Sequence, residues 1–392
     1  MFDPNVWKTV PFQFWALVFF VFGCILGSFL NVCIYRMPRG ESLVSPPSHC
    51  PHCHYSIPWY LNMPLFTWIF LRGRCAQCRA PISVRYFLVE LLTGVAFLAS
   101  WLAVGRQGTW LALAYSLVLS GLIVATFIDL EHYIIPDEIT IGGMVVGFLC
   151  SLAVPSLHRG ADPIVSLIAR FLSPRQREAL SQGAASPVFS LIESALGIGI
   201  GLGLVYFVVR VGKLLFGKQR VDLEPDSRVV FTETSLVLPD QEILFEELFY
   251  RKSDVITLEA KAIELIDRCY LPATIRLSPE KLLIGKETLN PENVPHMEVV
   301  TDTLFLPREA MGFGDVKFMG AIGAFLGWQA TVFSLMLSSV IGAVVGVALI
   351  ALRKQEWSSR IPYGPYIALA AVIWMFGGQR LLDWWLNAGW MR

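Results

Sequence analysis

Charge is what this chain has least of. Only 16% of its 392 residues are Asp, Glu, Lys or Arg, against roughly 25% in soluble domains, which excludes a water-soluble globule as its main body. Neither sign dominates, with 31 Lys and Arg against 31 Asp and Glu. That balance gives no indication of nucleic-acid binding and leaves local charge placement as the informative quantity. The order of a cleaved signal peptide is also missing. Lys8 alone precedes the apolar run Phe12–Val32, and Arg36 and Arg39 follow it. A signal peptide has its positive residues first and small residues at the end, so a retained first span with its N-terminus outside is expected. No internal repeat is visible, and no Ser–His or Cys–His arrangement offers a nucleophile. Gly197, Gly199, Gly201 and Gly203 fail as a dinucleotide loop, because a GxGxxG begun at Gly197 or Gly199 meets Leu202 or Leu204. Inside an apolar run, small residues of this kind serve helix packing.

What is present in abundance is apolar length, 55% of the chain being hydrophobic. Runs near or above 18 residues are spanning candidates. They fall at Phe12–Tyr35, Phe87–Val104, Thr109–Ile128, Ile139–Val154, Val188–Val211, Val316–Leu326, Thr331–Leu352 and Tyr363–Phe376. The expected fold is an all-α polytopic membrane protein with about eight transmembrane helices. Two of the spans are short, and residues 325–329 read as a tight turn between a half-length helix and a full one. The expected organisation is a first span (1–35), a knuckle domain (36–86), spans two to five (87–220), an insertion (221–307) and spans six to eight (308–392).

Lys and Arg set the orientation. They cluster after the first expected span (Arg36, Arg39, Arg72, Arg74, Arg79, Arg85), after the fifth (Arg210, Lys213, Lys218, Arg220) and after the seventh (Arg353, Lys354, Arg360). This common side is read as cytoplasmic. Leu157–Ser186 is the exception, with Arg159, Arg170, Arg175 and Arg177 on the outer side. Ile164, Leu167, Ile168 and Phe171 there are at the spacing of an amphipathic surface helix. Within 221–307 charges become dense, and short alternating runs such as 228–232 and 297–300 appear between turn residues. That pattern predicts a β-rich soluble insertion with one helix around Glu242–Arg251. It holds no catalytic or nucleotide-binding constellation, and a docking or spacer role is expected.

The chemistry concentrates in two acids. Asp315 stands at the mouth of an apolar, Gly-rich run, after Gly312 and Gly314, which let another backbone or a substrate come close. Asp129 closes the third expected span on the same side. An ionisable group at a membrane boundary is costly to place and is a functional candidate by default. Two carboxylates sharing one site hold a proton between them, so one takes a proton from water while the other donates to a carbonyl oxygen. Asp315 as a plain helix cap is the bland alternative. Asp137, after Pro136, reads as the N-cap of the fourth span, with Glu131 a solvated loop charge and His132 a polar boundary residue. Lys317 is expected to face headgroups or loop carboxylates, or to hold Asp315 ionised.

Four of the eight cysteines form two pairs, Cys50-x-x-Cys53 and Cys75-x-x-Cys78. Four thiolates from two knuckles satisfy tetrahedral Zn²⁺ and leave no open position, so a structural site is expected. A reducing cytoplasm argues against disulfides. His49, His52 and His54 crowd the first knuckle as bystanders. Arg72, Arg74 and Arg79 form a basic patch suited to anionic membrane lipids or an acidic partner.

These motifs together resemble the type IV prepilin peptidases, the prepilin leader peptidase/N-methyltransferase family of intramembrane aspartic peptidases. The carriers are residues 27–38 (GSFLNVCIYRMP), 46–53 (PPSHCPHC), 71–86 (LRGRCAQCRAPISVRY) with Glu90, the Asp129 segment, 312–317 (GFGDVK) and 361–366 (IPYGPY). The resemblance implies that Asp129 and Asp315 are the catalytic pair. It implies cleavage of the short basic leader of prepilins or pseudopilins after a glycine at the cytoplasmic membrane face. It also implies methylation of the new N-terminus with S-adenosylmethionine as donor, an activity linked to the knuckle region. Two other classes remain open from the residues: a transporter with buried carboxylates and a structural zinc lobe, and an inactive receptor or assembly factor on the same scaffold.

Overall fold

The computed structural model describes residues 10–158, 187–249, 254–307, 311–352, 361–382 and Trp384. The expected surface helix within 157–186 falls almost wholly outside these residues. So do Arg353, Lys354 and Arg360. The chain divides into two units, one of residues 1–206 with 312–392 and one of residues 207–311.

The apolar runs of the first unit become helices. They are α1 (Phe12–Arg36), the one-turn α2 (Phe66–Phe70), α3 (Val84–Val104), α4 (Thr109–His132), α5 (Asp137–Ala153), α6 (Pro187–Phe216), α7 (Phe313–Ala351) and α8 (Gly364–Ile373). A short π-helical stretch, Trp374–Gly378, continues α8. Their burial is inverted relative to a soluble protein. Phe14, Leu17, Val21 and Ile25 of α1 and Met336, Val340, Val344 and Val347 of α7 are exposed. Thr93, Ser100, Ser116, Ser120, Ser334 and Ser338 are buried. Small polar side chains among the buried apolar ones, with apolar side chains facing outward, suit a lipid solvent, where packing and interhelical hydrogen bonds hold helices together.

Six helices among the described residues are long and apolar enough to cross a membrane, against the eight expected runs. α5 has 17 residues, a length of about 26 Å at the helical rise and short of the ~30 Å hydrocarbon core. The sixth and seventh expected spans are the arms of one 39-residue element, α7, broken at Gly327 (φ 81°, ψ 175°). A side chain is strained at that φ, so glycine permits the break. The second arm returns to the end where the first began. Gly346 lies against Ile361, while Gly364 bonds Asp129 and touches Ile135, which itself lies against Gly314 near the start of α7.

The glycine row of α6 divides into two faces. A Cβ on Gly197 would meet the Gly323 carbonyl oxygen of α7 at 2.0 Å, and one on Gly201 would meet that of Met319 at 2.6 Å. Gly199 and Gly203 face open space. Gly197→Ala is expected to lower the thermal midpoint by several degrees, because overpacking costs roughly 1–3 kcal/mol. Gly199→Ala, with only helix propensity to gain, should leave the midpoint unchanged or raise it; equal midpoints for the two variants would contradict the close approach.

The second unit contains a ten-stranded antiparallel sheet. Its strands are β1 (Lys218–Phe231), β2 (Ser235–Val237), β3 (Glu242–Leu244), β4 (Ile256–Ala260), β5 (Ala262–Leu265), β6 (Cys269–Tyr270), β7 (Ala273–Leu277), β8 (Leu282–Ile284), β9 (Glu287–Leu289) and β10 (Met297–Pro307). The main path runs β3-β2-β1-β10-β4-β7-β8-β9, with β5 on β10 and β6 on β5. The long pair β1/β10 aligns Phe231 with Met297 and Lys218 with Pro307, with a register shift between Asp222 and Ser227. Alternation along β10 buries Met297, Val299, Leu304 and Leu306 in one core with Ile256, Leu258 and Ile275. The helix expected around Glu242–Arg251 is corrected. Residues 242–244 pair with β2, leaving a single turn at Phe245–Leu248. The hairpin partner β2, joined through residues 238–241, overrides helix propensity here.

Candidate active site

Asp129 lies one turn from the end of α4. The helix stops because Tyr133 turns left-handed (φ 56°) while donating to the Asp129 carbonyl, and Pro136 follows. Its carboxylate is buried and accepts the Gly364 N–H at 2.8 Å. Gly364 begins α8, with a proline next in the chain. The first N–H groups of a helix have no intrahelical acceptor, so this one is free to bind an acid. A Cβ on Gly364 would lie 2.8 Å from Asp129 Oδ2, so the amide approaches only as glycine.

Asp315 sits in the first turn of α7 and is also buried. It is not the cap: the N-cap residue is Gly312, without a side-chain cap bond. The Asp315 N–H donates to the Gly312 carbonyl at 3.2 Å. A Cβ on Gly312 would come within 3.5 Å of Asp315 Oδ2, and one on Gly314 within 3.5 Å of Ile135. Buried Ile135 is the hinge of the site, touching Gly314 on one side and Gly364 on the other. The two acids, far apart in sequence, are thereby brought to one end of the unit, within electrostatic range of each other.

The neighbouring charges differ from expectation. Asp137 is the first residue of α5, and the N-cap position belongs to Pro136. Its carboxylate binds Lys317 at 2.6 Å, which fastens the start of α7 to the start of α5 and gives Lys317 a carboxylate other than Asp315. Glu131 and His132 lie in the last turn of α4 rather than on a loop, and Glu131 pairs with Arg85. Sequence reasoning missed the roles of Gly364, Ile135 and Arg85. The Gly-Pro at 364–365 carried a signal for the first, since proline favours the opening turn of a helix and glycine before it leaves the amide uncovered.

The second cluster is made by two matching turns. Cys50 N–H donates to Tyr55 O and His54 N–H to Cys50 O; Cys75 N–H donates to Ala80 O and Arg79 N–H to Cys75 O. His54 (φ 56°) and Arg79 (φ 61°) take the left-handed conformation at equivalent positions. The four sulfurs lie within 4.8 Å of one another, with Cys50–Cys78 at 3.8 Å and Cys53–Cys75 at 4.0 Å. A disulfide needs about 2.05 Å. Tetrahedral Zn–S bonds of about 2.3 Å give S···S edges of about 3.8 Å, so the residues fit a metal ion. The backbone N–H groups of Cys78, then Gln77, pull the Cys75 thiol down to about 6, toward the thiolate that binds metal. His49 stays outside the set, its Nδ1 against the Pro47 carbonyl and its ring stacked on His54.

Fold and site thus define a helical membrane protein with a tetra-Cys metal-type cluster and two buried carboxylates at one end. Residues 295–347 match the model of the type IV leader peptidase family, and residues 21–104 that of the bacterial peptidase A24 N-terminal domain. The chain is 28% identical over 402 residues to the prepilin leader peptidase/N-methyltransferase of Aeromonas hydrophila, covering 96% of each chain. It is 44% identical over 180 residues to the protein of that name from Myxococcus xanthus, covering 43% of this chain and 52% of the relative. It is 37% identical over 207 residues to the type 4 prepilin-like proteins leader peptide-processing enzyme of Escherichia coli, covering 46% of this chain and 74% of the relative. No solved structure matches. The chain belongs to the type IV leader peptidase family.

Proposed function

We propose that this protein is an aspartic endopeptidase of the cytoplasmic membrane that removes the basic leader of prepilins or pseudopilins and then methylates the new N-terminus. The observation that carries the peptidase reading is that Asp129, held by Gly364, and Asp315, next to Gly314, stand on two glycines packed beside the same Ile135, within electrostatic range of each other. Water between the carboxyl groups attacks the scissile carbonyl carbon. The ionised group takes its proton, and the protonated one donates to the carbonyl oxygen. The carboxyl that took water's proton then passes it to the nitrogen, the C–N bond breaks, and the other carboxylate recovers its proton from a hydroxyl of the intermediate. Gly364 holds Asp129 through its N–H, and the bare, exposed backbone at Gly312 leaves room for an extended peptide. The Lys317–Asp137 ion pair fixes the depth of the Asp315 turn.

On this reading α5 and both arms of α7 are embedded with the other five long helices, which gives eight helical passes. The acids face the cytoplasm, and the insertion acts as a docking or spacer domain. S-adenosylmethionine supplies the methyl group, and the relatives' names support its use. The transporter alternative loses support because both acids stand in terminal turns of helices, not mid-span. Co-expression with a prepilin, in a bacterium lacking its own processing enzyme, tests the reading. Conversion to the shorter product supports it, and a prepilin of unchanged length counts against it.

The cysteine cluster holds zinc in this reading, as a closed structural site. Purified protein is expected to carry about one zinc per chain. Cys50→Ser with Cys75→Ser should abolish that content, read by elemental analysis, and unchanged metal would refute the assignment.

A further inference from the structure

Between the two knuckles runs Ile57–Leu71, IPWYLNMPLFTWIFL, without a single charged residue. In a soluble lobe such a run would turn inward. Here Trp59 (83%), Phe66 (72%) and Phe70 (83%) are among the most exposed residues of the chain, and Tyr60, Met63 and Ile69 are exposed with them. The inner side of the run is fastened to the start of α3. Trp68 packs on Phe87 with ring centroids 5.2 Å apart, and its indole N–H donates to the Ile82 carbonyl at 3.4 Å. Leu65 holds an unusual positive φ of 62°, and its N–H donates to the buried Glu90 carboxylate at 2.7 Å. The exposed side chains are thus fixed at the level where α3 begins, and α3 itself turns Val84, Leu88, Leu92 and Val95 outward.

We infer that residues 57–71 form a membrane-interface platform, with the aromatic side chains among the headgroups and upper acyl chains of the bilayer. Trp, Tyr and Phe beside a span are the residues an interface recruits, since an amphipathic ring fits that boundary. The exposed side chains Arg72, Arg74 and Arg79 follow directly, and basic residues at this position attract anionic lipid. The lipid surface is favoured over a protein partner because the platform continues the outward apolar face of α3. The platform holds the metal-binding knuckles against the bilayer. This inference rests on the membrane reading alone, not on the peptidase reading.

The test is photocrosslinking of the full chain in nanodiscs of phosphatidylethanolamine and phosphatidylglycerol. Phe66→p-benzoylphenylalanine and Phe70→p-benzoylphenylalanine are irradiated, with Leu17→p-benzoylphenylalanine on the exposed face of α1 as reference. Mass spectrometry is expected to find a single-phospholipid adduct as the main product at all three positions. Lipid adducts at Leu17 with none at Phe66 and Phe70 would overturn the inference. So would crosslinks from Phe66 and Phe70 to an added prepilin or to a second copy of the chain. Prepilin cleavage is not the readout, so the inference and the peptidase reading fail separately.

Discussion

Asp129→Asn and Asp315→Asn are each expected to lower the rate of prepilin cleavage by roughly 10²–10⁴-fold, the scale of losing a positioned acid or base. Asparagine keeps the size of the side chain, and its amide oxygen still accepts the Gly364 N–H that Asp129 accepts at 2.8 Å. It cannot take or give the proton. Thermal midpoint and zinc content should therefore stay near those of the parent while turnover disappears. Because the two carboxyls act on one water, the double variant should be about as inactive as either single one. Initial rates for the four proteins, measured side by side, check this. Normal cleavage by either single variant, or multiplicative losses in the double, would mean that the acids do not work as a pair.

The second large effect is expected from a residue that carries no functional group. In Gly364→Ala the new Cβ would stand 2.8 Å from Asp129 Oδ2, 3.2 Å from its Cγ and 3.2 Å from Ile135 Cδ1. Ordinary contact begins near 3.4 Å, so the carboxylate and Ile135 must give way together. Ile135 also lies against Gly314, and the shift reaches the Asp315 turn. Misplacement of a reacting group by about 1 Å costs on the order of 10²-fold. Gly364→Ala is expected to lose about that much cleavage rate with little change in thermal midpoint. Gly377→Ala, where a Cβ meets nothing within 4 Å, is the matched control and should cleave normally. Equal rates for the two variants would remove Gly364 from the site.

Much of the architecture was legible in the residues, and the failures have a common cause. Long uncharged runs announce helices because lipid and core alike demand apolar length. The cysteine spacing announces a cluster because two four-residue turns can bring four thiolates together. Alternation in residues 228–232 and 297–300 announced strands, and these pair in register at Phe231 and Met297. What stayed hidden was pairing across long stretches of chain. Asp137 looked like a cap because Pro136 precedes it, yet its partner Lys317 is 180 positions away. A short-range miss stands beside it: residues 242–251 looked helical until the adjacent β2 claimed their first three in a hairpin. The number of long helices differs from the number of expected runs at α7, where Gly327 breaks one long element into two arms, and at α5, which stops at 17 residues. Gly364 is the clearest case: Gly-Pro signals a helix start but not its partner, and the value of this glycine lies in an amide aimed at an acid 235 positions earlier.

The most direct test of the central claim uses purified protein in nanodiscs and a prepilin with a basic leader, a glycine and an apolar helix beginning with phenylalanine. Intact-mass spectrometry reads cleavage and methylation from one spectrum, with and without S-adenosylmethionine. The account predicts a product beginning immediately after the glycine, heavier by one methyl group when the donor is present. It also predicts an uncut substrate with the Asp129→Asn, Asp315→Asn double variant. An intact prepilin with the parent protein, or the same cut made by the double variant, would contradict it.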